Sequence, residues 1–265
     1  MLKTRSFLGI VMLDTQFPRP LGDIGHLNTF DVPVHQEIVR SVWPDKVVLS
    51  AASLRQARIV PAFQGVVRNL DRRGARAITT SCGFLVLLQK ELQLVTKVPV
   101  VTSSLLLLPK LLQTQQRVGV LTISARYLGA EHLRSAGVPK DRLQDVVVQG
   151  VAPDSEFATR ILGNQPQMDV AQAERDVVAA AVALKARAPD LQTLVLECTN
   201  MPPYIAAIEA ATGLQTLWLK DVARLFDWAK PKPPGGVPET VGGAIAASAT
   251  THTIDPVQPP TASSA

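Results

Sequence analysis

The 265-residue chain has two cysteines, and each closes a short apolar run: AITTSC ends on Cys82 and LVLEC ends on Cys198. A thiol set after a strand and before a helical stretch lies near unpaired backbone N–H groups. Their partial positive charge favours the thiolate and is expected to lower the thiol pKa from about 8.5 toward neutrality. The neighbours are small or hydroxylic, with Thr79, Thr80, Ser81 and Gly83 at one cysteine and Thr199 and Asn200 at the other. Such residues offer N–H and O–H groups to an anion. One buried cysteine reads as a small hydrophobe. The same setting met twice reads as a pair of thiols facing each other across one small-molecule site.

Other chemistries are poorly provided for. The cysteines are too far apart for a CxxC redox or zinc motif, and two are too few for a disulfide framework. His26, His35, His132 and His252 show no HxxxH or HExxH spacing, so no metal site is expected. The 27 basic residues exceed the 22 acidic ones by a net charge of only +5. They are scattered singly, which argues against a nucleic-acid partner. A small anionic or carbonyl-containing substrate fits the balance without being demanded by it. With 46% apolar and 18% charged residues, the composition is that of a compact soluble protein. The run Phe7–Leu13 stops at Asp14 with no small-residue cleavage site. The run 98–112 is broken by Thr102, Ser103, Ser104, Pro109 and Lys110, so it is unsuited to a bilayer. No membrane partner is expected, the expected location is cytoplasmic, and assembly into a homo-oligomer is left open.

The elements that must hold the cysteines alternate along the chain. Strands are expected at 7–13, 46–50, 77–80, 118–122, 146–151 and 194–196. Helical spacing is read at 29–42, 56–73, 84–96, 127–136, 169–188 and 201–211, with Gly74, Gly137 and Gly213 after three of the helices. This is an α/β pattern with mainly parallel sheets. It divides into two pseudo-symmetric halves, 1–113 carrying Cys82 and 114–230 carrying Cys198, the last helix able to pack back on the first half. Each half opens on a glycine-containing strand, at Gly9 and Gly119, and later has a strand ending on its cysteine. Each cysteine then lies at the C-terminal edge of a sheet, where α/β proteins bind ligands, with the site between the halves. Residues 231–265, rich in Pro, Ala and Thr, are expected to be a flexible tail.

TTSCGF and the later LECTNMPPY, each after a strand, resemble the two active-site motifs of the aspartate/glutamate racemase superfamily. The likeness covers roughly residues 5–228. Its more specific part is the second motif, Cys-Thr followed by a polar residue, an apolar residue and a proline. The superfamily also holds hydantoin racemases, maleate isomerases and arylmalonate decarboxylases. The resemblance implies a racemase or isomerase of a small carboxylate or carbonyl compound, an amino acid or a derivative, that needs no cofactor. Cys82 and Cys198 would be its acid–base pair. Asp14 and Thr15 would line the site beside Cys82, while Gly83, Thr199 and Asn200 would hold the substrate carboxylate. Thr122 and Ser124 are further candidates for the same anion. Decarboxylation, cis–trans isomerisation and non-catalytic ligand binding are the alternatives on the same fold. Gly83-Phe84 stands where amino-acid racemases usually carry Asn-Thr, and Asn200 where they usually carry His. Both departures point away from glutamate, and Phe84 points toward a more apolar pocket.

The loop 17–30 between the first strand and the first helix reads either as an ordered surface loop or as a lid whose Arg19 reaches a substrate carboxylate. Glu197 can tune the adjacent thiol, although an acid closing a strand is ordinary. Pro202, Pro203 and Tyr204 read as the start of the last helix.

Overall fold

The computed structural model describes residues 6–48, 54 and 59–229, and the expected tail at 231–265 lies outside them. Among the described residues, eight strands form two four-stranded sheets. The first contains β1 (Phe7–Leu13), β2 (Val34–Val39), β3 (Ala75–Thr80) and β4 (Val100–Val101), in the order β2-β1-β3-β4. The second contains β5 (Val118–Thr122), β6 (Val146–Gly150), β7 (Thr193–Leu196) and β8 (Gln215–Leu217), in the order β6-β5-β7-β8. Every pairing is parallel. The same order therefore occurs twice, and β3 and β7 hold the same place in their sheets.

The central strands are legible because helices bury both of their faces. β5 and β7 are buried throughout and β1 is buried from Leu8 to Leu13, which produces unbroken apolar runs. Among the helices, Ile59–Arg72 buries Phe63, Val67 and Leu70, one stripe at helical spacing. The glycines that open the two halves do equivalent work. A Cβ at Gly9 would stand 3.1 Å from Leu70, on the helix 59–72. At Gly119 it would stand 3.1 Å from Leu184, on the helix Val170–Arg187. Each lets a helix close onto the first strand of its sheet. Gly74, Gly137 and Gly213 all take positive φ just past helix ends, which favours glycine there.

Two expected elements differ. The helix expected at 29–42 is a loop followed by β2, which pairs with β1 from Leu8↔Val34 to Leu13↔Val39. Pro33 disfavours a continuous helix, and the outer position of β2 leaves His35, Gln36 and Glu37 half-exposed, which hides its strand period. The strand expected at 46–50 is helical over Pro44–Val48, with Pro44 in the first turn. Leu49 and Ser50 lie outside the described residues.

Candidate active site

Cys82 follows β3 and caps a 3-10 helix at Gly83–Leu88, with extended backbone (φ −151°, ψ 121°). Cys198 follows β7 and precedes the 3-10 turn Pro202–Tyr204, which leads into the helix Ile205–Thr212. The matched places of β3 and β7 bring both thiols to the C-terminal ends of their strands. There they line one narrow cavity of about 20 Å³, room for one or two water-sized groups. Leu13, Phe17, Val48, Phe84, Ile123 and Ile161 supply apolar wall. Thr15, Ser81, Gly83, Glu197, Thr199 and Asn200 complete it on the polar side.

Hydrogen bonds tie the two cysteine segments together. The Thr199 hydroxyl donates to the Ser81 carbonyl over 2.7 Å, and Ser81 Oγ accepts from the Leu13 amide at 2.9 Å. The Cys198 thiol donates to Asn200 Oδ1 at 3.6 Å, and Asn200 Nδ2 donates to Asp23 Oδ2 at 2.7 Å. Asp23 is 1% exposed and pairs with Arg19 at 2.7 Å. The Arg19 guanidinium also donates to Thr15 Oγ1 at 2.8 Å and lies over the Phe17 ring, 4.6 Å from its centroid. The loop 17–30 is thus anchored to the second cysteine motif. Gly22 reinforces this, since at φ +101° it packs so closely that a Cβ would meet the Pro203 backbone at 3.0 Å.

Of the residues singled out in the sequence, Thr15, Ser81, Gly83, Phe84, Glu197, Thr199 and Asn200 meet the two cysteines at the cavity. Asp14 does not line it. Its carboxylate accepts from the Ser41 amide at 2.9 Å, closing the turn beyond β2. Thr122 does not line it either and stands behind Glu197, to whose Oε2 its hydroxyl donates at 2.7 Å. Ser124 faces a separate cavity beside Gln149 and Gly150. Arg19 is held by Asp23 and Thr15 and is not part of the cavity wall. Asp23 went unnoticed in the sequence.

The expected lowering of the thiol pKa values is reversed. Desolvation pushes Cys82 well up, and the Glu197 charge adds to it. The Phe84 and Leu85 amides pull the other way and do not prevail. Desolvation and then Glu197 also raise Cys198, against the Asn200 amide. In a site this dry, the loss of water outweighs the helix-end charge. Glu197 itself is fully buried, and desolvation pushes it up to about 8 despite the Thr122 hydrogen bond. Among the described residues its Oε1 has no partner, although the side chain lines the cavity. A Cβ at Gly83 would stand 2.2 Å from the Glu197 carbonyl oxygen and closer than 2.5 Å to Oε1. Glycine at this position is what allows the carboxyl to reach the segment that follows Cys82.

Among the described residues, no group of His, Cys, Asp and Glu is placed to hold a metal ion, and no helix is long and apolar enough to cross a membrane.

Solved structures of arylmalonate decarboxylase and of a glutamate racemase share this fold. A cysteine variant of arylmalonate decarboxylase in its sulfate-associated form superposes with a TM-score of 0.54 at 17% identity, covering 86% of this chain and 97% of the other. Glutamate racemase from Francisella tularensis in complex with D-glutamate superposes with a TM-score of 0.52 at 14% identity, over 85% of this chain and 81% of that one. No protein-family model matches the chain. Among curated proteins, a dimethylsulfoniopropionate lyase from Durusdinium sp. clade D is 31% identical over 214 residues, 78% of this chain and 69% of the relative. Dimethylsulfoniopropionate lyase 7 from Emiliania huxleyi is 27% identical, over 78% of this chain and 62% of the relative. The chain belongs to the dimethylsulfoniopropionate lyase family, although it spans only 55% to 69% of the length of these and a further Emiliania huxleyi lyase.

Proposed function

We propose that the protein is a lyase that eliminates a β-leaving group from a small carboxylate, with dimethylsulfoniopropionate as the first substrate to test. The observation that carries this reading is the pair of thiols on one narrow, largely apolar cavity. The first step is the one the sequence suggests, removal of a proton from the carbon next to a carboxylate. The outcome differs from racemisation. A thiolate of the pair takes the α-proton, the α–β double bond forms, and the β-carbon–sulfur bond breaks with its electron pair leaving on sulfur. The products are acrylate, dimethyl sulfide and a protonated thiol that later returns its proton to solvent. Elimination was not among the alternatives drawn from the sequence. The curated relatives favour it over racemisation, because their printed activity is that of lyases.

The electrostatics support this choice. Both thiols are raised, and among the described residues lining the cavity there is no Arg, Lys or His. A sulfonium substrate brings a positive charge of its own, and an opposite charge within about 4–6 Å favours a thiolate. The departing dimethyl sulfide is neutral and apolar, as the wall is.

The test is incubation with dimethylsulfoniopropionate, following acrylate by NMR and dimethyl sulfide in the headspace, with wild type, Cys82→Ser and Cys198→Ser. Release by wild type with a loss of at least about a hundredfold in one or both variants supports the reading. Release undiminished in both variants, or α-deuteration of the substrate in heavy water without release, overturns it.

A further inference from the structure

We propose that Glu197 meets the substrate as a neutral carboxylic acid whose Oε1 end donates a hydrogen bond to the substrate carboxylate. The inference rests on the lyase reading only in taking the ligand to be a small carboxylate. Three observations lead to it. Glu197 is fully buried, and its Oε2 accepts from Thr122 at 2.7 Å, so the two ends of the carboxyl are already distinguished. Among the described residues the Oε1 end has no partner, and its side chain lines the cavity. Among the described residues of that cavity there is no cationic side chain to receive an anion.

A buried polar oxygen without a partner is costly in a finished fold and marks a place where a ligand completes the bonding. An ionised Glu197 cannot serve a carboxylate ligand, because two carboxylates in a dry site repel. A protonated one can, and burial keeps the proton on Glu197 up to about pH 8. The neutral state has a second effect. Ionised Glu197 raises both thiols, so holding its proton removes a charge that opposes either thiolate. Among the described residues, the groups that bear on Glu197 are the Cys82 and Cys198 thiols and the Thr122 hydroxyl, with Asp23 acting on Cys198 from behind Asn200. Glutamine is the informative substitution. Its carbonyl can accept from Thr122 while its amide donates into the cavity, and it does not titrate.

The experiment is calorimetric binding of propionate, which lacks the leaving group and the sulfonium, to the full chain between pH 6 and 9.5. In wild type the affinity should fall about tenfold per pH unit above about pH 8, with uptake of close to one proton seen by comparing two buffers. Glu197→Gln should bind propionate with no such fall and no uptake. Glu197→Ala should bind about ten- to a hundredfold more weakly than wild type at pH 6. Thr122→Val should move the alkaline fall upward, because that hydroxyl stabilises the ionised form. The inference is overturned if wild type and Glu197→Gln lose affinity in parallel, if Glu197→Ala binds as wild type does, or if propionate fails to bind wild type at pH 6. Any of these leaves the lyase reading to its own test. Conversely, the expected binding pattern together with no release of dimethyl sulfide defeats the lyase reading and upholds the role of Glu197.

Discussion

Asn200 donates its side-chain amide to the Asp23 carboxylate over 2.7 Å, joining residues 177 positions apart in the chain. The other end of the same amide accepts from the Cys198 thiol at 3.6 Å. One planar group thus fixes the direction of the thiol proton and the position of the loop 17–30. Asp23 is held in turn by Arg19 and by the Gly25 amide, the latter at 2.7 Å. These partners satisfy the oxygens of a carboxylate that is only 1% exposed.

Replacing Asn200 by Ala removes both bonds. The Asp23 carboxylate loses one of its buried donors, and Cys198 loses its acceptor. The expected cost is about 1–3 kcal/mol in urea unfolding, with turnover reduced more than substrate affinity. Asn200→Asp should be worse at neutral pH than at pH 5, because it sets two carboxyls against each other and one of them must hold a proton. Equal behaviour of Asn200→Asp at the two pH values would show that the side chains at 200 and 23 do not meet.

Arg19 is expected to act on stability before it acts on substrate. Its guanidinium is 13% exposed and pairs with Asp23 at 1%. Arg19→Ala should therefore cost about 3–5 kcal/mol, the usual consequence of leaving a buried charge unpaired. Arg19→Ala combined with Asp23→Asn should recover part of the loss, and a double-mutant cycle by chemical denaturation measures how much. Additive losses would mean that the pair does not hold the loop.

What was readable in the sequence and what was not divides along physical lines. β1, β3, β5 and β7 announce themselves because burial on both faces requires apolar runs. β2 and β8 are outer strands, and the polar residues of VHQEIV and QTL hide their period. Thr15, Gly83, Thr199 and Asn200 were legible because each adjoins a strand end already fixed by a cysteine or by β1. The pairings of Thr122 with Glu197 and of Asn200 with Asp23 span 75 and 177 positions, and no local pattern encodes them. Asp14 follows β1, the place that suggested a site residue, and its carboxylate accepts from the Ser41 amide. The thiol pKa values misled for another reason. Helix-end charge is visible in sequence, whereas the desolvation that outweighs it belongs to the packed cavity.

Gly83 is a strict steric requirement. A methyl group there would lie 2.2 Å from the Glu197 carbonyl oxygen, and a backbone neighbour cannot rotate away. Gly83→Ala must part the two cysteine segments, at about 1–3 kcal/mol by the usual scale of overpacking. Because those segments carry both thiols, activity should fall further than stability does. The comparison is thermal melting against turnover under the same conditions. Wild-type activity in a folded Gly83→Ala protein would show that Glu197 need not approach the Cys82 segment.

Glu197 should also set how stability depends on pH. Its pKa is raised from 4.5 to about 8 on folding, so between these values the native state holds a proton that the unfolded chain has released. Stability then falls as pH rises, because the native state binds the extra proton. The contribution is complete below about pH 4.5 and lost as pH climbs through about 8, on the order of 3–5 kcal/mol across the window. Glu197→Gln has no proton to lose and keeps a partner for Thr122, so its unfolding free energy should be flatter from pH 5 to 8.5 and should exceed that of wild type at the alkaline end. The thiols, raised by the same desolvation, act in the same direction but only above their unfolded value near 9. Urea unfolding at several pH values separates the two. Parallel wild-type and Glu197→Gln curves from pH 5 to 8.5 would mean that Glu197 is ionised in the native state.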